Sequence, residues 1–408
     1  MAEKVTAPDA ALQLTSLNGI RFFAVFHIFL FHLWSTRNEG DLKNGPMAEV
    51  YGGLDTLPRL ANNFLAHGYL STSFFFLLSG FILAYLYWTP GGALTTSDKR
   101  FWWARFTRIY PIHLVVLLLT TLLMLPRYWF DPNAPGVLLS IGSFFATAML
   151  TQAWVPPFVP VWSWPTWALS AVVFLYLLMP WLMRTLARLP RARQIALLVA
   201  MPLVSLLPTG VFLLFFPDGG KDHLSWQIFL GSTPLFWVPH FVAGMLLARI
   251  SGISRFETAW RARIGGWFGL GDFALAAIVA ISLMEPHTAD WRHILRHGLL
   301  MPLYLLVIYD FAHGRGVAAR IFSLPGMSFL GQASFSIFIW QNFLMVVSFA
   351  VAYATKNQAA ALPVALFGVL GMSIVSTYLI EKPWARRLRR VVPGEGSRGS
   401  KPEPVSGL

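Results

Sequence analysis

Two ionisable residues stand in one long apolar stretch near the start of the chain, with a basic residue eleven positions before a histidine. They are Arg21 and His32, within a segment 18–34 that is apolar enough to cross a membrane. At about 100° per residue, this spacing puts both side chains on one helix face, about 16 Å apart along the axis. The pattern therefore predicts a groove with a fixed cation near one membrane surface and a titratable imidazole deeper in.

Each of these residues also has a structural interpretation. Arg21 alone would serve as an anchor that reaches the lipid headgroups, and a single helical histidine can hydrogen-bond to a neighbouring helix. Inserting an arginine in a membrane span costs about 2.5 to 3.5 kcal/mol, so ionisable residues there indicate function by default. Because Arg21 and His32 share a face, we favour a functional pair. His27, five positions before His32, points elsewhere.

The composition predicts a polytopic membrane protein. The 408 residues are 56% hydrophobic and 12% charged, whereas soluble domains are about 25% charged. The net charge of +13 falls in short clusters between apolar segments, which favours cytoplasmic anchors over nucleic-acid binding. With no cysteine, disulfides, thiolate nucleophiles and Cys-ligated metals are excluded. No metal-ligand spacing, P-loop or G-x-S-x-G motif occurs, so we expect no metal.

Hydropathy and charge together predict an all-α fold of about ten transmembrane helices plus one partial or re-entrant helix. Placing the basic clusters on the cytoplasmic side requires an even number of crossings between them, so one of the eleven apolar segments does not cross. The weakest is 137–153, because it is short and runs into the Pro-rich stretch 155–165. The apolar segments are 17–36, 64–88, 110–130, 137–153, 166–183, 194–216, 233–250, 267–284, 298–312, 329–354 and 361–380.

Both termini are then predicted to be cytoplasmic. Residues 1–16 form a polar segment whose only basic side chain is Lys4, which favours a retained first helix over a signal peptide. Residues 17–383 form the transmembrane domain. Residues 384–408 form a basic tail, rich in Gly, Ser and Pro at its end, that we expect to be disordered.

Several further polar residues are candidates for a site. Ser79 and Gly80 are a small pair whose simplest role is close helix packing, and His67 suits the membrane interface or a polar pocket. Arg105 and Arg108 share a helix face and could grip phosphates, although cytoplasmic anchoring also explains them. A Pro-rigidified tryptophan group would form either an interfacial belt or a platform for a sugar ring, and it comprises Trp154, Trp162, Trp164 and Trp167.

Six motifs in order resemble the acyltransferase-3 family of integral-membrane acyltransferases, which O-acetylate polysaccharides, lipopolysaccharide, peptidoglycan and some small molecules. The family has a basic residue, ten intervening residues and a histidine in its first helix, as in Arg21 and His32. The remaining matches are F-F-L-L-S-G-F (75–81), R-F-T-R-I-Y-P (105–111), H-F-V-A-G-M-L-L-A-R (240–249), A-S-F-S-I-F-I-W-Q (333–341) and Y-L-I-E-K-P (378–383). The resemblance covers almost the whole chain.

The resemblance implies roles for individual residues. His32 would be the catalytic or acyl-relay histidine, with Arg21 as its partner. The donor acyl-CoA, expected as acetyl-CoA and as a co-substrate rather than a permanently bound cofactor, would be held on the cytoplasmic side by Arg105, Arg108, Ser79 and Tyr110. The acceptor would contact Trp162, Trp164, Trp167 and His67.

One departure from the family pattern stands in the helix after the Trp-rich stretch. The family reads W-S-L-S-x-E-x-x-F-Y there, whereas 167–176 reads W-A-L-S-A-V-V-F-L-Y. Val172 therefore replaces an expected acidic residue. Without it, either the orientation or charge stabilisation of the histidine is lost, or another group substitutes, with Asp310, Glu381 and His67 as candidates.

The resulting expectation is an acyl-CoA-dependent O-acyltransferase of the bacterial inner membrane. Its partners would be the lipid bilayer, acyl-CoA and a glycan or lipid-linked saccharide, with no nucleic acid. The alternatives are a transporter or flippase, or an inactive member of a glycan-assembly complex. The sequence shows no inverted repeat and no paired Gly- or Pro-broken helices, which argues against transport.

Overall fold

The computed structural model describes residues 14–38, 46–89, 91–126, 134–252, 268–285 and 288–389. In these ranges the chain is helical with no β-strand, and a single isolated β-bridge pairs Trp88 with Leu94. The predicted all-α class is confirmed. Most of the predicted N-terminal segment 1–16, and the tail beyond residue 389, lie outside the described residues.

The main helices are numbered in chain order. They are α1 (Thr15–Asn38), α2 (Arg59–Ala66), α3 (Leu70–Tyr87), α4 (Asp98–Met124), α5 (Val137–Ala148), α6 (Trp167–Ala187), α7 (Arg191–Phe215), α8 (Leu224–Ser232), α9 (Val238–Ile250), α10 (Leu270–Leu283), α11 (Ala289–Ile294), α12 (Met301–Ala312), α13 (Gly316–Phe322), α14 (Pro325–Gln332), α15 (Ser334–Thr355), α16 (Ala361–Val375) and α17 (Lys382–Arg389). Short helical turns join some of them, and π-helical segments continue α11 (Leu295–Leu299) and α16 (Ser376–Glu381).

Within the described ranges, seven helices are long and apolar enough to span a membrane. Two further pairs meet the same test together, although each pair is bent. One pair is α8 with the helix that ends at Ile250, bent by 45°, and the other is the α11 segment with α12, bent by 42°. Counting each bent pair as one span gives up to nine.

The helix boundaries refine the predicted segments. The predicted span 267–284 is α10, which has only 14 residues, and the predicted partial segment 137–153 is α5, which has only 12. The predicted span 64–88 is two helices, α2 and α3, because the chain turns at His67–Tyr69. The bends in the two pairs were not expected from the sequence.

Helices α3 and α9 pack more closely than ordinary side chains allow. A Cβ atom on Gly80 would collide with the carbonyl oxygen of Phe241, and one on Gly244 would collide with that of Leu77. Each glycine therefore accepts the backbone of the other helix, which confirms the predicted packing role of Gly80. This contact fixes the position of α3 against α9.

Candidate active site

One polar region surrounds Arg21, in the first half of α1. Arg21 is half-buried, and its Nη2 donates a 2.6 Å hydrogen bond to the carbonyl oxygen of Gly331 in α14. Its guanidinium also interacts electrostatically with Arg108 and Tyr176. The side chain therefore points into the protein, rather than out to the headgroups.

The carboxylate of Glu381 belongs to the same region. It accepts hydrogen bonds from the hydroxyls of Ser336 and Ser376, and it interacts electrostatically with Arg108 and Lys382. We call the group of Arg21, Arg108, Tyr176, Ser336 and Glu381 the Arg21 region. It combines several cations with one carboxylate.

The four predicted donor-binding residues have different surroundings. The Arg105 Nη2 donates a 2.7 Å hydrogen bond to the Tyr87 hydroxyl, whereas the Arg108 guanidinium lies 5.9 Å from the ring centroid of Phe335. Ser79 donates to the Phe75 carbonyl oxygen of its own helix, and the Tyr110 ring stacks on Phe106. The structure thus brings Arg108 to Arg21 and directs Arg105 towards the end of α3.

The two histidines of α1 differ in their hydrogen bonding. His27 is buried between the hydroxyl of Ser71, 3.0 Å away, and the carbonyl oxygen of Phe64, 2.7 Å away. His32 is half-buried, and its imidazole has no hydrogen-bond partner in the described part of the chain. The histidine that bonds across to a neighbouring helix is therefore His27, while His32 keeps both ring nitrogens available.

The charged group near His32 is Arg296, from the π-helical segment that continues α11. Arg296 interacts electrostatically with His32. Its guanidinium carbon lies 5.3 Å from the ring centroids of both Trp167 and Trp237, and Phe76 stacks on Trp237 with centroids 4.5 Å apart. We call Phe76, Trp167 and Trp237 the aromatic platform. The hydroxyl of Ser73 on α3 donates to the Arg296 carbonyl oxygen and fixes this segment.

Two more histidines contact the platform. The rings of His240 and His297 lie 5.3 and 5.1 Å from that of Trp237. Both side chains are buried, and the Nε2 atom of each has no hydrogen-bond partner among the described residues. His32, Arg296, His240, His297 and the aromatic platform together form the His32 region. Among the described residues, no His, Asp and Glu group is arranged to hold a metal ion.

The predicted acceptor-binding residues are separated. Trp167 belongs to the platform, whereas the Trp162 indole N–H donates a 2.9 Å hydrogen bond to the Ser140 carbonyl oxygen and ties α5 to the following loop. Trp164 is exposed. His67 lies in the turn before α3, with its Nδ1 2.8 Å from the Asn63 carbonyl oxygen.

No described carboxylate replaces the acidic residue expected at Val172. Val172 is buried in α6 among apolar neighbours. Asp310 accepts a 2.6 Å hydrogen bond from the Gly271 amide and so caps α10, while Glu381 belongs to the Arg21 region. The charged group that interacts electrostatically with His32 is a cation, Arg296.

The residues predicted for the site did not include Arg296, His240 or His297. A signal for two of them is the pattern R-H-I-L-R-H at 292–297, because basic residues at this spacing share a helix face beside an apolar segment. The predicted span began only at residue 298, so this pattern fell in a presumed loop. His240 was quoted only as part of a family motif.

Comparisons with known proteins agree with this architecture. A family model described as an acyltransferase domain, Acyl_transf_3, matches residues 14–382. The chain is also similar to "Acyltransferase MdmB" of Streptomyces mycarofaciens, with 30% identity over 188 residues. That match covers 46% of this chain and 43% of the relative, so it spans less than half of either. No solved structure matches.

The family match extends from the residue before α1 to the first residue of α17, and it includes both polar regions. It joins the first-helix arginine and histidine to a multi-pass helical fold. The chain therefore belongs to the acyltransferase-3 family, and its apolar helices indicate a multi-pass membrane protein.

Proposed function

We propose that this acyltransferase moves an acetyl or other short acyl group from acyl-CoA to a hydroxyl of a glycan, polysaccharide or glycolipid. The observation that carries the proposal is the contrast within α1, where His27 is hydrogen-bonded and the His32 imidazole has no partner. An imidazole that is held on a helix but not engaged can take a proton from a hydroxyl or attack an acyl carbon.

The Arg21 region would hold the donor. Arg21 and Arg108 come from different helices and interact with each other, so their like charges favour an anionic ligand between them. The phosphates of CoA supply such a ligand, with Arg105, Ser79 and Tyr110 as further candidate contacts. We place this region on the cytoplasmic side of a bacterial inner membrane, because acyl-CoA is a cytoplasmic metabolite and both chain termini are predicted there.

Transfer would proceed in one of two ways. As a base, the neutral imidazole of His32 takes the acceptor's hydroxyl proton, the oxygen bonds to the thioester carbon, and the C–S bond breaks. The CoA thiolate then takes the proton from the imidazolium. As a carrier, a His32 nitrogen bonds to the acyl carbon, the C–S bond breaks, and the CoA thiolate takes the proton from the other ring nitrogen. The acceptor's hydroxyl oxygen then bonds to the acyl carbon as the C–N bond breaks, and its proton returns to the imidazole. In both cases the Arg296 charge, which acts on His32, would help to stabilise the negative charge that develops on the carbonyl oxygen.

Transfer of labelled acetyl from acetyl-CoA, in membranes containing the protein, tests this proposal. We expect His32→Ala to lower the transfer rate by a factor of about 10² to 10⁴, because general acid–base catalysis contributes that much. His27→Ala is the matched control, and it should lose stability through its two hydrogen bonds while it retains transfer. A burst of CoA release without acceptor would identify the carrier route.

Equal labelling by wild type and His32→Ala at equal folded protein would exclude His32 chemistry. The same assay separates the rival functions, because a transporter or an inactive assembly factor releases no CoA from acyl-CoA. The two bent helix pairs resemble ligand-binding breaks in transporters, but they serve an acceptor site equally well.

A further inference from the structure

We propose that the His32 region contains an anion site, built around Arg296, that holds a carboxylate or phosphate group of the acceptor beside His32. This inference rests on the proposed function, since that function makes the acceptor a saccharide. It names the acceptor's class more closely, as an acidic or phosphorylated saccharide.

In the described part of the chain, the groups around Arg296 supply no negative charge. None of the described groups that interact electrostatically with its guanidinium is a carboxylate. Asp290 interacts with His293 at the edge of this group. A cation partly removed from water is costly without a counter-charge, so the site favours a ligand that brings one. The interacting groups are His32, Tyr69, His240, Arg292, His293 and His297.

Among the described residues, Arg296 and the histidines around it have few hydrogen-bond partners. An arginine has five N–H donors, yet Arg296 makes one recorded side-chain hydrogen bond, of 3.3 Å to the Gly231 carbonyl oxygen. Its Nε is buried without a partner in the described part of the chain, as are the Nε2 atoms of His240 and His297. Buried polar atoms are normally paired, so three unpaired nitrogens in one region indicate an absent partner.

The aromatic platform holds the Arg296 guanidinium by cation–π contacts. The indole rings of Trp167 and Trp237 lie against the guanidinium, each with its centroid 5.3 Å from the central carbon. Cation–π contacts use none of the N–H donors, so these remain for two parallel bonds to a carboxylate or phosphate. The side chain is only half-buried, so an edge remains within reach of a ligand.

The site lies where the two bent helix pairs meet. Gly231 lies before the break between α8 and α9, and its carbonyl oxygen accepts from both Arg296 and the Trp237 indole. Arg296 lies before the break that precedes α12. Non-helical backbone at membrane depth is tolerated where it lines a cavity, and broken helices present polar groups to bound ligands.

Thermal unfolding of the purified full chain in detergent, at constant ionic strength, provides the test. The probes are glucuronate, glucose 1-phosphate and neutral glucose. We expect at least one anionic sugar to raise the Tm by about 3 °C near saturation, whereas glucose does not. Arg296→Gln should lose this shift. Arg296→Lys should keep only part of it, because an ammonium lacks the planar fork.

Arg193→Gln is the control, because Arg193 is an exposed arginine on α7 whose loss should leave the shift intact. A response to one anion alone would support the site and identify its ligand as a carboxylate or a phosphate. Three results would overturn the proposal: equal stabilisation by glucose, no stabilisation by either anion, or an unchanged shift in Arg296→Gln. If Arg296→Gln does not fold, an unchanged shift in Arg296→Lys decides against the bidentate site.

This measurement requires no catalysis, so its failure is distinguishable from failure of the proposed function. Anion binding without acyl transfer from acetyl-CoA would retain the site and overturn the proposed function. Acyl transfer without any effect of anions or of Arg296 would do the reverse. Arg296 as a purely structural residue at the bends predicts lower Tm values in its variants and no difference between anionic and neutral sugars.

Discussion

The Arg21 and His32 regions both gather positive side chains from several helices, but they differ in how that charge is balanced. In the Arg21 region, Glu381 interacts electrostatically with Arg108 and accepts hydrogen bonds from two serine hydroxyls. In the His32 region, Arg296 faces imidazoles, a phenol and another arginine in the described structure. The protein thus supplies a counter-charge at one end of α1 and leaves the other end positive.

This difference distinguishes two kinds of polar region within one membrane bundle. A cluster that contains its own carboxylate is partly neutralised before a ligand binds, so removing that carboxylate should affect folding first. A cluster that lacks one is completed from outside, so changing it should affect binding or chemistry first. Changes in the Arg21 region should therefore lower stability first, whereas changes in the His32 region should lower binding or activity first.

The largest effect is expected where α3 and α9 cross, because α3 carries Phe76 and α9 carries His240 of the His32 region. Gly80→Leu should lower the free energy of unfolding by about 3 kcal/mol, since the new side chain meets the backbone of Phe241. Transfer activity and sugar binding should fall together. Gly371→Leu is the matched control, because its Cβ would meet no heavy atom within 4 Å. Thermal unfolding of both variants checks this, and similar Tm values would contradict it.

A smaller effect is expected from removing the counter-charge of the Arg21 region. Glu381→Gln should cost about 1.5 to 3 kcal/mol of stability, because hydrogen bonds to a charged group are lost while Arg108 and Lys382 remain positive. Glu285→Gln is the same substitution at an exposed ion pair with Arg59. If both variants unfold at the same temperature, the balanced charge of the Arg21 region does not contribute to stability.

The smallest effect is expected from an ion pair in water. The Arg37 guanidinium bonds to Asp55 in the turn after α1 and holds the pKa of that carboxyl below its usual value. A lowered folded-state pKa adds stability above the unfolded-state value of about 3.9, and that stability is lost as the pH falls through the folded-state pKa. Because Asp55 is exposed, Asp55→Asn should change the Tm at pH 7 by only about 1 °C.

A Tm series between about pH 3 and pH 7 measures this contribution, and the Asp55→Asn curve should be slightly flatter at its acid end. A loss at pH 7 as large as that of Glu381→Gln would mean that solvent exposure does not separate these carboxylates. The comparison between buried and exposed charge would then fail.

The sequence was sufficient to predict that Arg21 and His32 lie on one helix, because the apolar segment that holds both is continuous. The same holds for the α3–α9 contact at Gly80, since a small residue in an apolar helix indicates close approach. The His32 region could not be predicted in this way. Its parts come from α1, α3, α6, α9 with the turn before it, and the segment after α11, and they lie beside the breaks of the two bent helix pairs.

The role of Val172 shows the same limit. A family pattern indicates that an acidic residue is missing, but it does not say which group faces the histidine in its place. The structure puts Asp310 and Glu381 in other contacts and leaves Arg296 beside His32. Sequence patterns identify residues on a single helix, whereas the electrostatics of a site depend on residues far apart in the chain.

The continuity of α1 has one more consequence. Its 24 residues form one helix, so Arg21 and His32 cannot approach each other by bending at a loop. If Arg21 and Arg108 hold the donor's phosphates, α1 acts as a ruler of about 16 Å between the donor's head and the reacting carbon. Thioesters on shorter arms would bind without reaching His32, and the donor would be selected by its length as well as by its charge.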